Sequence, residues 1–470
     1  MHYSRVHPYT LFSFFSRFWF LLILPVFEGL IVRPQTLLQA AGSLSLQFLF
    51  LLALIFWSVL ELAAIGYHAG EGDLFYKRGA LVRERLAVPY ENVVSLTVRR
   101  TILSSLFGAS RLYLDTPAGS QKRADITLTL SSKRLRKTAE TIFQSGEFET
   151  IYRPSAPRLL LMSASWSNPG AGLLLLAPFI HRVGTVLGEE ISDRLYSTVD
   201  LSLQFAALGI PPAAAGLTYL LICGYAALLL VQLFRYGNFT LMLSKDFLLL
   251  RRGVVSISER IIRREKVCAV STRQTLLMRL FNLSSSYLHT VGSFKEKGDK
   301  SMLIAAATRE QTVSLLERVT SLPLFTPKTL KPDKSAVRSF LRVPVICLLS
   351  LMAVTMVPQL TGFFGDVFRV VLVFLFPLFV WWLCLRLFAY RRSGVAKQEG
   401  ALVLSGYKRL TVHTVCLPVS QVRRIAVSQN PFQRRKDRCT LIVTLYAEGR
   451  ETFKVKQLPL DKTVAFINQL

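Results

Sequence analysis

The sequence predicts a membrane α + β protein with six transmembrane helices in three hairpins, each hairpin followed by a small β-barrel or sandwich that a C-terminal helix caps. Composition is the first reason: 51% of the 470 residues are hydrophobic and the mean hydropathy is +0.39, which is too apolar for a soluble chain. The second reason is that the apolar runs alternate with three basic, strand-rich stretches that are similar to one another. The unit that repeats therefore has the size of a domain.

The three strand-rich stretches align without large gaps. The first contains RLAVPYENVVSLTVRRTILSSLFGAS, the second RIIRREKVCAVSTRQTLLMRLFNLSS and the third HTVCLPVSQVRRIAVSQNPFQRRKDRC. When Val93, Val267 and Val422 are set in register, residues that suit a tight turn coincide: Gly108, Asn282 and Asp437. Such residues tolerate a left-handed backbone, so this position predicts the same turn in every repeat.

Alternating composition divides the chain into seven segments. Strand-rich repeats are expected at 66–150, 235–322 and 389–470. Helical segments are expected at 1–65, 159–234 and 341–388, with spans near 18–32, 44–65, 159–180, 212–234, 343–360 and 367–387. A proline-rich tether, 323–340, precedes the last helical pair. Glu28 and Glu61 fall inside two of the spans, where ionisable groups are costly and are functional candidates.

Charge placement predicts the orientation. The segments 66–158, 235–342 and 386–470 hold 51 of the 57 Lys and Arg residues but 22 of the 29 acids. An excess of Lys and Arg marks the cytoplasmic side of a membrane. We therefore expect a multi-pass protein of a bacterial inner membrane, with the three repeats and both termini in the cytoplasm.

The motifs of catalysis and cofactor binding are missing from the sequence. It has no GxGxxG after a strand, no GxxxxGK[ST], no GxSxG, and no Cys or His spacing typical of a metal site. We therefore expect no enzymatic activity, no cofactor and no metal. Nucleic acid is not an expected partner, because aromatic residues do not interleave the basic runs.

Clusters of basic residues are the stronger functional signal. Next to the cytoplasmic leaflet each Lys or Arg gains about 1 kcal/mol from anionic lipid. The candidate lipid contacts are Arg99, Arg100, Arg134, Arg136, Lys137, Arg251, Arg252, Arg263, Arg264, Arg434 and Arg435. The alternative is that these residues only fix the topology of the chain.

The repeats resemble the bacterial pleckstrin-homology-like (bPH) domain family, in its membrane-flanked form with three copies. The resemblance rests on Gly79 and Gly253, on the RVHP opening, and on three runs: PYENVVSLTVRRTILSSLFG, REKVCAVSTRQTLLMRLFN and PVSQVRRIAVSQNPFQRR. It implies a small barrel of about seven strands with a C-terminal helix in each copy, and neither an activity nor a ligand. The third copy departs from the pattern, because SQNPFQRRKDR lacks the apolar character of LLMRLFN.

The leading hypothesis is a polytopic membrane protein that displays three cytoplasmic PH-like domains. These would bind or scaffold membrane lipids, with anionic headgroups as candidates, or protein partners such as another PH-like membrane protein or a second copy. The alternative is a transporter, or an efflux or resistance component, that acts on a membrane-active compound. In that case Glu28 and Glu61 would carry function.

Overall fold

The computed structural model describes residues 3–15, 41–118, 124–143, 147–167, 212–292, 301–320, 327–361, 365–398, 400–408, 411–447 and 449–470. Its strands and helices recur in the same order three times, except that the third repeat lacks the strand that opens the first two. The first repeat comprises β1 Ser4–Arg5, α1 Tyr9–Phe15, α2 Ala41–Ala64, β2 Gly66–Ala69, β3 Asp73–Arg78, β4 Glu84–Pro89, β5 Ser95–Arg100, α3 Ile102–Leu106, β6 Ala109–Asp115, β7 Ile126–Ser131 and α4 Ser132–Phe143.

The second repeat comprises β8 Glu149–Tyr152, α5 Ala156–Trp166, α6 Pro212–Tyr236, β9 Thr240–Leu243, β10 Phe247–Arg252, β11 Ile257–Arg263, β12 Val267–Gln274, α7 Leu276–Leu280, β13 Leu283–Thr290, β14 Met302–Thr308 and α8 Arg309–Thr320. The third comprises α9 Val337–Thr361, α10 Gly365–Arg392, β15 Gly394–Gln398, β16 Ala401–Lys408, β17 Thr411–Pro418, β18 Val422–Ser428, α11 Pro431–Arg434, β19 Arg438–Ala447, β20 Gly449–Pro459 and α12 Leu460–Asn468.

The alignment of the three sequences is confirmed by local geometry. A single 3-10 turn precedes each aligned valine: Tyr90–Asn92, Arg264–Lys266 and Val419–Gln421. The predicted tight turns have positive φ angles, 63° at Gly108, 52° at Asn282 and 46° at Asp437. The turns therefore form as the residue types predicted.

Each repeat is folded as two antiparallel sheets, and neighbouring repeats share a sheet. Strand β5 of the first repeat pairs with β11 of the second, which gives one seven-stranded sheet in the order β7-β6-β5-β11-β10-β9-β8. Strand β12 pairs with β17 of the third repeat in the same way, in the six-stranded order β14-β13-β12-β17-β16-β15. A four-stranded sheet, β1-β2-β3-β4, and a three-stranded sheet, β18-β19-β20, close the two ends of this array.

The predicted fold class, six transmembrane helices in three hairpins with three separate barrels, is wrong in two respects. Within the described residues one helical stretch, Lys334–Met356, is long and apolar enough to cross a membrane, with mean hydropathy 1.9. The shorter apolar stretches Leu52–Ala64 and Leu221–Tyr236 are the C-terminal parts of α2 and α6, and by themselves they fall short of the roughly 20 residues that a span requires. The first predicted span, 18–32, and residues 168–180 of the third lie outside the described residues.

The second respect is that the barrels are not separate. An unpaired strand edge exposes a row of N–H and C=O groups that favour pairing with another strand, and here adjacent repeats satisfy each other's edges. The hydrophobic core follows the sheets across repeat boundaries. Ala396 and Val403 of the third repeat pack in one cluster with Val270 and Leu288 of the second, and Phe247 and Ile261 of the second pack against the core of the first.

Candidate functional site

The sheets have one end at which the long helices finish, called here the helix-proximal end. Strand β2 begins at Gly66, two residues after α2 ends, and antiparallel pairing sets Gly66 opposite Lys77 of β3. The β3–β4 hairpin tip, residues 79–83, therefore returns to the end of α2. In the second repeat Gly253 N–H donates to the Gly237 carbonyl (2.7 Å) and Val254 N–H to the Phe234 carbonyl (2.9 Å), so the β10–β11 tip packs on the end of α6.

Glycine is required at both hairpin tips. Gly79 has φ +96° and Gly253 has φ +100°, and a Cβ at either position would lie 2.0 Å from a carbonyl oxygen across the turn. These are the two glycines on which the family resemblance rested. The close turns push apolar side chains outward, and four of these are exposed: Leu81, Val82, Val254 and Val255.

A short helix follows the second sheet's first strand in each repeat, also at the helix-proximal end. Thr101 caps α3 by accepting from Ser104 N–H (3.3 Å), and Thr275 caps α7 by accepting from Met278 N–H (3.2 Å). The α11 helix of the third repeat has an Asn430 capping box. These caps satisfy the open amides of the first turn, so the short helices are specified by local sequence.

The short helices turn apolar side chains toward solvent. In the first two repeats these are Ile102, Leu103, Leu106, Phe107, Leu280 and Phe281, and Leu106 and Leu280 are each 76% exposed. In the third repeat the corresponding exposed apolar side chain is Phe432, at 66% exposure, because SQNPFQRRKDR lacks the apolar run LLMRLFN. Contiguous exposed apolar side chains of this kind mark a contact surface.

Each short helix adjoins the helix that opens its own repeat. The rings of Tyr9 in α1 and Phe107 lie 5.7 Å apart, α7 packs on α5, and the Arg342 guanidinium of α9 lies 5.1 Å from the Phe432 ring. The apolar surface of the repeats is thus continuous with the long helices, including the stretch Lys334–Met356.

Five of the predicted lipid-contact residues are engaged inside the protein. Arg263 donates to the Tyr90 carbonyl (3.0 Å), and its guanidinium stacks on Phe247 at 5.3 Å, so it joins the first two repeats. Arg264 donates to the Val319 carbonyl and caps the end of α8. The remaining three are Arg99, which donates to Ser256, Arg252, over the Tyr236 ring, and Arg100, whose side chain is half-buried.

The other six predicted contacts are exposed. Arg434 is the last residue of the short α11 helix at the helix-proximal end, and Arg435 follows it as the C-cap. Arg251 lies beside Glu259, with 3.5 Å between their charged groups. Arg134, Arg136 and Lys137 lie on α4, where Arg136 pairs with Glu140 at 2.7 Å.

Of the two predicted intramembrane carboxylates, Glu61 lies within the described residues. Glu61 is half-buried in the last turn of α2. Glu28 lies outside the described residues. Nothing in the described part of the chain joins Glu61 to a transport path.

The junction between the first two repeats contains a buried ion pair that sequence reasoning missed. Arg260 of β11 lies 3.7 Å from the Asp115 carboxylate of β6, with 14% and 3% of the side chains exposed. Ser95 Oγ donates to the same Asp115 oxygen (2.6 Å), and Arg260 donates to Ser95 (3.3 Å) and to Ser301. The sequence around Arg260 does not predict this ion pair, because its partner Asp115 lies 145 residues earlier in the chain.

A second polar chain joins the last two repeats. Ser271 Oγ lies 2.8 Å from His289 Nε2, and His289 Nδ1 lies 2.8 Å from Glu451 of β20. The order of groups is that of a nucleophile, a base and an acid, but Ser271 and His289 are buried within the sheet, where a substrate has no access. Burial also raises the pKa of Cys416 on the neighbouring strand to about 12, which keeps that thiol protonated and unreactive.

Gly292 lies where all three repeats meet. Its N–H donates to the Ala447 carbonyl of the third repeat (3.3 Å), and a Cβ built on it would lie 2.0 Å from the Thr116 carbonyl of the first. Its φ is +67°. Only glycine allows this approach of the three backbones.

The fold consists of three two-sheet repeats, each preceded by helices and each joined to the next along a strand edge. The chain belongs to the bacterial PH domain family: the family model matches it three times, at residues 20–145, 194–321 and 345–470. Each match includes helical residues that precede the strands. The resemblance inferred from the sequence is therefore confirmed.

Among curated proteins, the chain is similar to the UPF0699 transmembrane protein YdbT of Bacillus subtilis (strain 168). The two are 22% identical over 310 residues, which cover 60% of this chain and 61% of the relative. This chain thus spans about three fifths of that relative's length. No solved structure matches the chain.

Proposed function

We propose that this protein is a membrane-anchored binding scaffold without enzymatic activity, in which the helix-proximal end of the sheets lies against the bilayer. The stretch Lys334–Met356 would supply an anchor, and the relative in Bacillus is named a transmembrane protein. The observation that carries the proposal is the row of exposed apolar side chains on the hairpin tips and short helices, continuous with the long helices.

The shared sheets support the proposal that all three repeats lie on the same side of the membrane. Strands β5 and β11, and strands β12 and β17, hydrogen-bond along their length, so no bilayer can separate the repeats that they join. Strand β1 pairs with β2, and α12 packs on β20, so both belong to the same side. The excess of Lys and Arg in these segments favours the cytoplasmic side of a bacterial inner membrane.

The three-repeat array presents its remaining surface to partners. One open edge of the array is β4 and the other is β18, whereas β20 packs against β16. Exposed strand edges accept an added strand from a partner, so another PH-like membrane protein or a second copy of this chain is the proposed protein partner. Lipids are the proposed partner at the helix-proximal end.

Photocrosslinking tests the orientation. The full chain is reconstituted in nanodiscs that contain a lipid with a photoreactive acyl chain, and adducts are mapped by mass spectrometry. We expect adducts on residues 102–107, 253–256, 276–281 and 431–434, and none on 116–118 at the opposite end of β6. A paired substitution, Leu280→Asp with Phe281→Asp, removes adducts from α7, because a charge in the interface is costly, whereas Ala118→Asp leaves them unchanged. Adducts confined to Lys334–Met356 and the other long helices would overturn the proposal.

A further inference from the structure

The C-terminal end of α10 gathers basic side chains from three parts of the chain. Phe388 of α10 has two guanidinium groups on its ring: Arg279 of α7 at 5.6 Å and Arg392, the last residue of α10, at 5.9 Å. Arg279 is exposed and stands beside Leu280 at the helix-proximal end. Two positive groups on one aromatic ring therefore open toward the surface where the apolar residues lie.

Lys328 adds a third positive group. The segment before α9 is held along β15 by two backbone hydrogen bonds between Leu330 and Val395, of 2.8 and 3.0 Å. This contact sets the Lys328 stem against Gly394, where a Cβ would lie 2.8 Å from Lys328 Cδ. Gly394 follows Arg392 by two residues, so the amine is fixed near that guanidinium.

The positive charges of this group repel one another. Burial, and then the charges of Arg392 and Lys331, lower the pKa of Lys328 to about 7. Burial, and then the charges of Arg279 and Arg309, lower the pKa of Arg392. In the described part of the chain no carboxylate forms an ion pair with Lys328, Arg279 or Arg392. Cations brought together at such a cost and left uncompensated indicate a site for an anion.

We infer that Lys328, Arg279 and Arg392 form a phosphate-binding site, with Phe388 as its floor and Arg309 nearby. Phosphate oxygens accept charge-assisted hydrogen bonds from guanidinium and ammonium groups. Two sources of the bound phosphate fit this chemistry, a lipid headgroup and inorganic phosphate in solution. The headgroup source rests on the proposed function, since it requires this end of the sheets to face a bilayer, whereas free phosphate does not require it.

The reactivity of the Lys328 amine tests the inference in the full chain. With its low pKa, Lys328 should acylate readily at pH 7.5 in nanodiscs of phosphatidylcholine, whose choline ammonium neutralises its own phosphate, in a buffer free of inorganic phosphate. A bound phosphate group would hold the amine protonated and slow acylation by about tenfold. Mass spectrometry reads Lys328, with the exposed Lys133 of α4 as internal control. The arms are inorganic phosphate, nanodiscs that contain phosphatidylglycerol, and sodium chloride at matched ionic strength.

The outcomes distinguish a lipid headgroup from inorganic phosphate as the bound anion. Slowing by inorganic phosphate assigns a phosphate site that stands even if the membrane-facing surface does not. Slowing by phosphatidylglycerol alone assigns a headgroup site. Arg279→Gln should weaken either response at least about fivefold, while Arg251→Gln, an exposed arginine elsewhere in the sheets, should leave it unchanged. Absence of slowing in both arms, or equal slowing by chloride, would overturn the inference.

Discussion

The ion pair between Arg260 and Asp115 is expected to hold the first two repeats together. Replacing Arg260 by Met removes the charge and keeps much of the side-chain volume, leaving the Asp115 carboxylate buried with its charge partner lost. At 3.7 Å the attraction is about 4 kcal/mol for an effective dielectric constant of about 20, and removing one member of a buried pair costs about 3–5 kcal/mol. Since Arg260 is 14% exposed, we take the lower end, about 3 kcal/mol.

Hydrogen exchange measures that loss where it occurs. A loss of about 3 kcal/mol in local opening should speed amide exchange in β5 and β11 by about 100-fold. The sheet β18-β19-β20 should be unaffected, because it contains neither residue. The assay is mass spectrometry of the full chain in detergent, with wild type and variant exchanged in parallel.

A matched control involves the same strand, β11. Arg251 of β10 and Glu259 of β11 form a solvent-accessible pair with 3.5 Å between their charged groups and with the Arg251 side chain exposed, and surface pairs contribute at most about 1 kcal/mol. Arg251→Met should therefore change exchange in β11 less than about fivefold. The reasoning fails if Arg260→Met accelerates exchange no more than this control does, or if the acceleration is uniform along the chain.

Two further predictions concern the meeting point of the repeats and the basic site. Gly292→Ala should break the contact with the first repeat, because its Cβ would lie 2.0 Å from the Thr116 carbonyl. The control is Gly108→Ala, at a similar φ of +63° but with open space around it, which should lower the free energy of unfolding by only about 1 kcal/mol. Limited proteolysis that cuts both variants equally would contradict this prediction. Without phosphate or anionic lipid, the unfolding midpoint should rise from pH 7 toward pH 10, because unfolded Lys328 binds a proton in this range that the folded amine, with a pKa of about 7, does not. Lys328→Met should reduce that rise, and an equal rise in both proteins would exclude Lys328 as its source.

The sequence determined the local parts of this protein. The threefold repeat, the family, the hairpin glycines Gly79 and Gly253, and the turns at Gly108, Asn282 and Asp437 were all readable, because each depends on residues close together in the chain. The short helices after β5 and β12 were not predicted, although a run such as LLMRLF after a capping threonine carries the signal for one. The basic residues were identified by type alone, and type does not distinguish Arg434 on the surface from Arg263 between two repeats.

Tertiary structure decided how the repeats combine. Pairing of β5 with β11 and of β12 with β17 depends on which strand edges meet, and a strand's sequence specifies its two faces but not the partner at its edge. The pair Asp115–Arg260, the chain from Ser271 to Glu451, and the group around Phe388 all follow from that pairing or from the packing of α10. Of the six transmembrane helices that hydropathy predicted, one stretch within the described residues, Lys334–Met356, combines the length and the composition of a span.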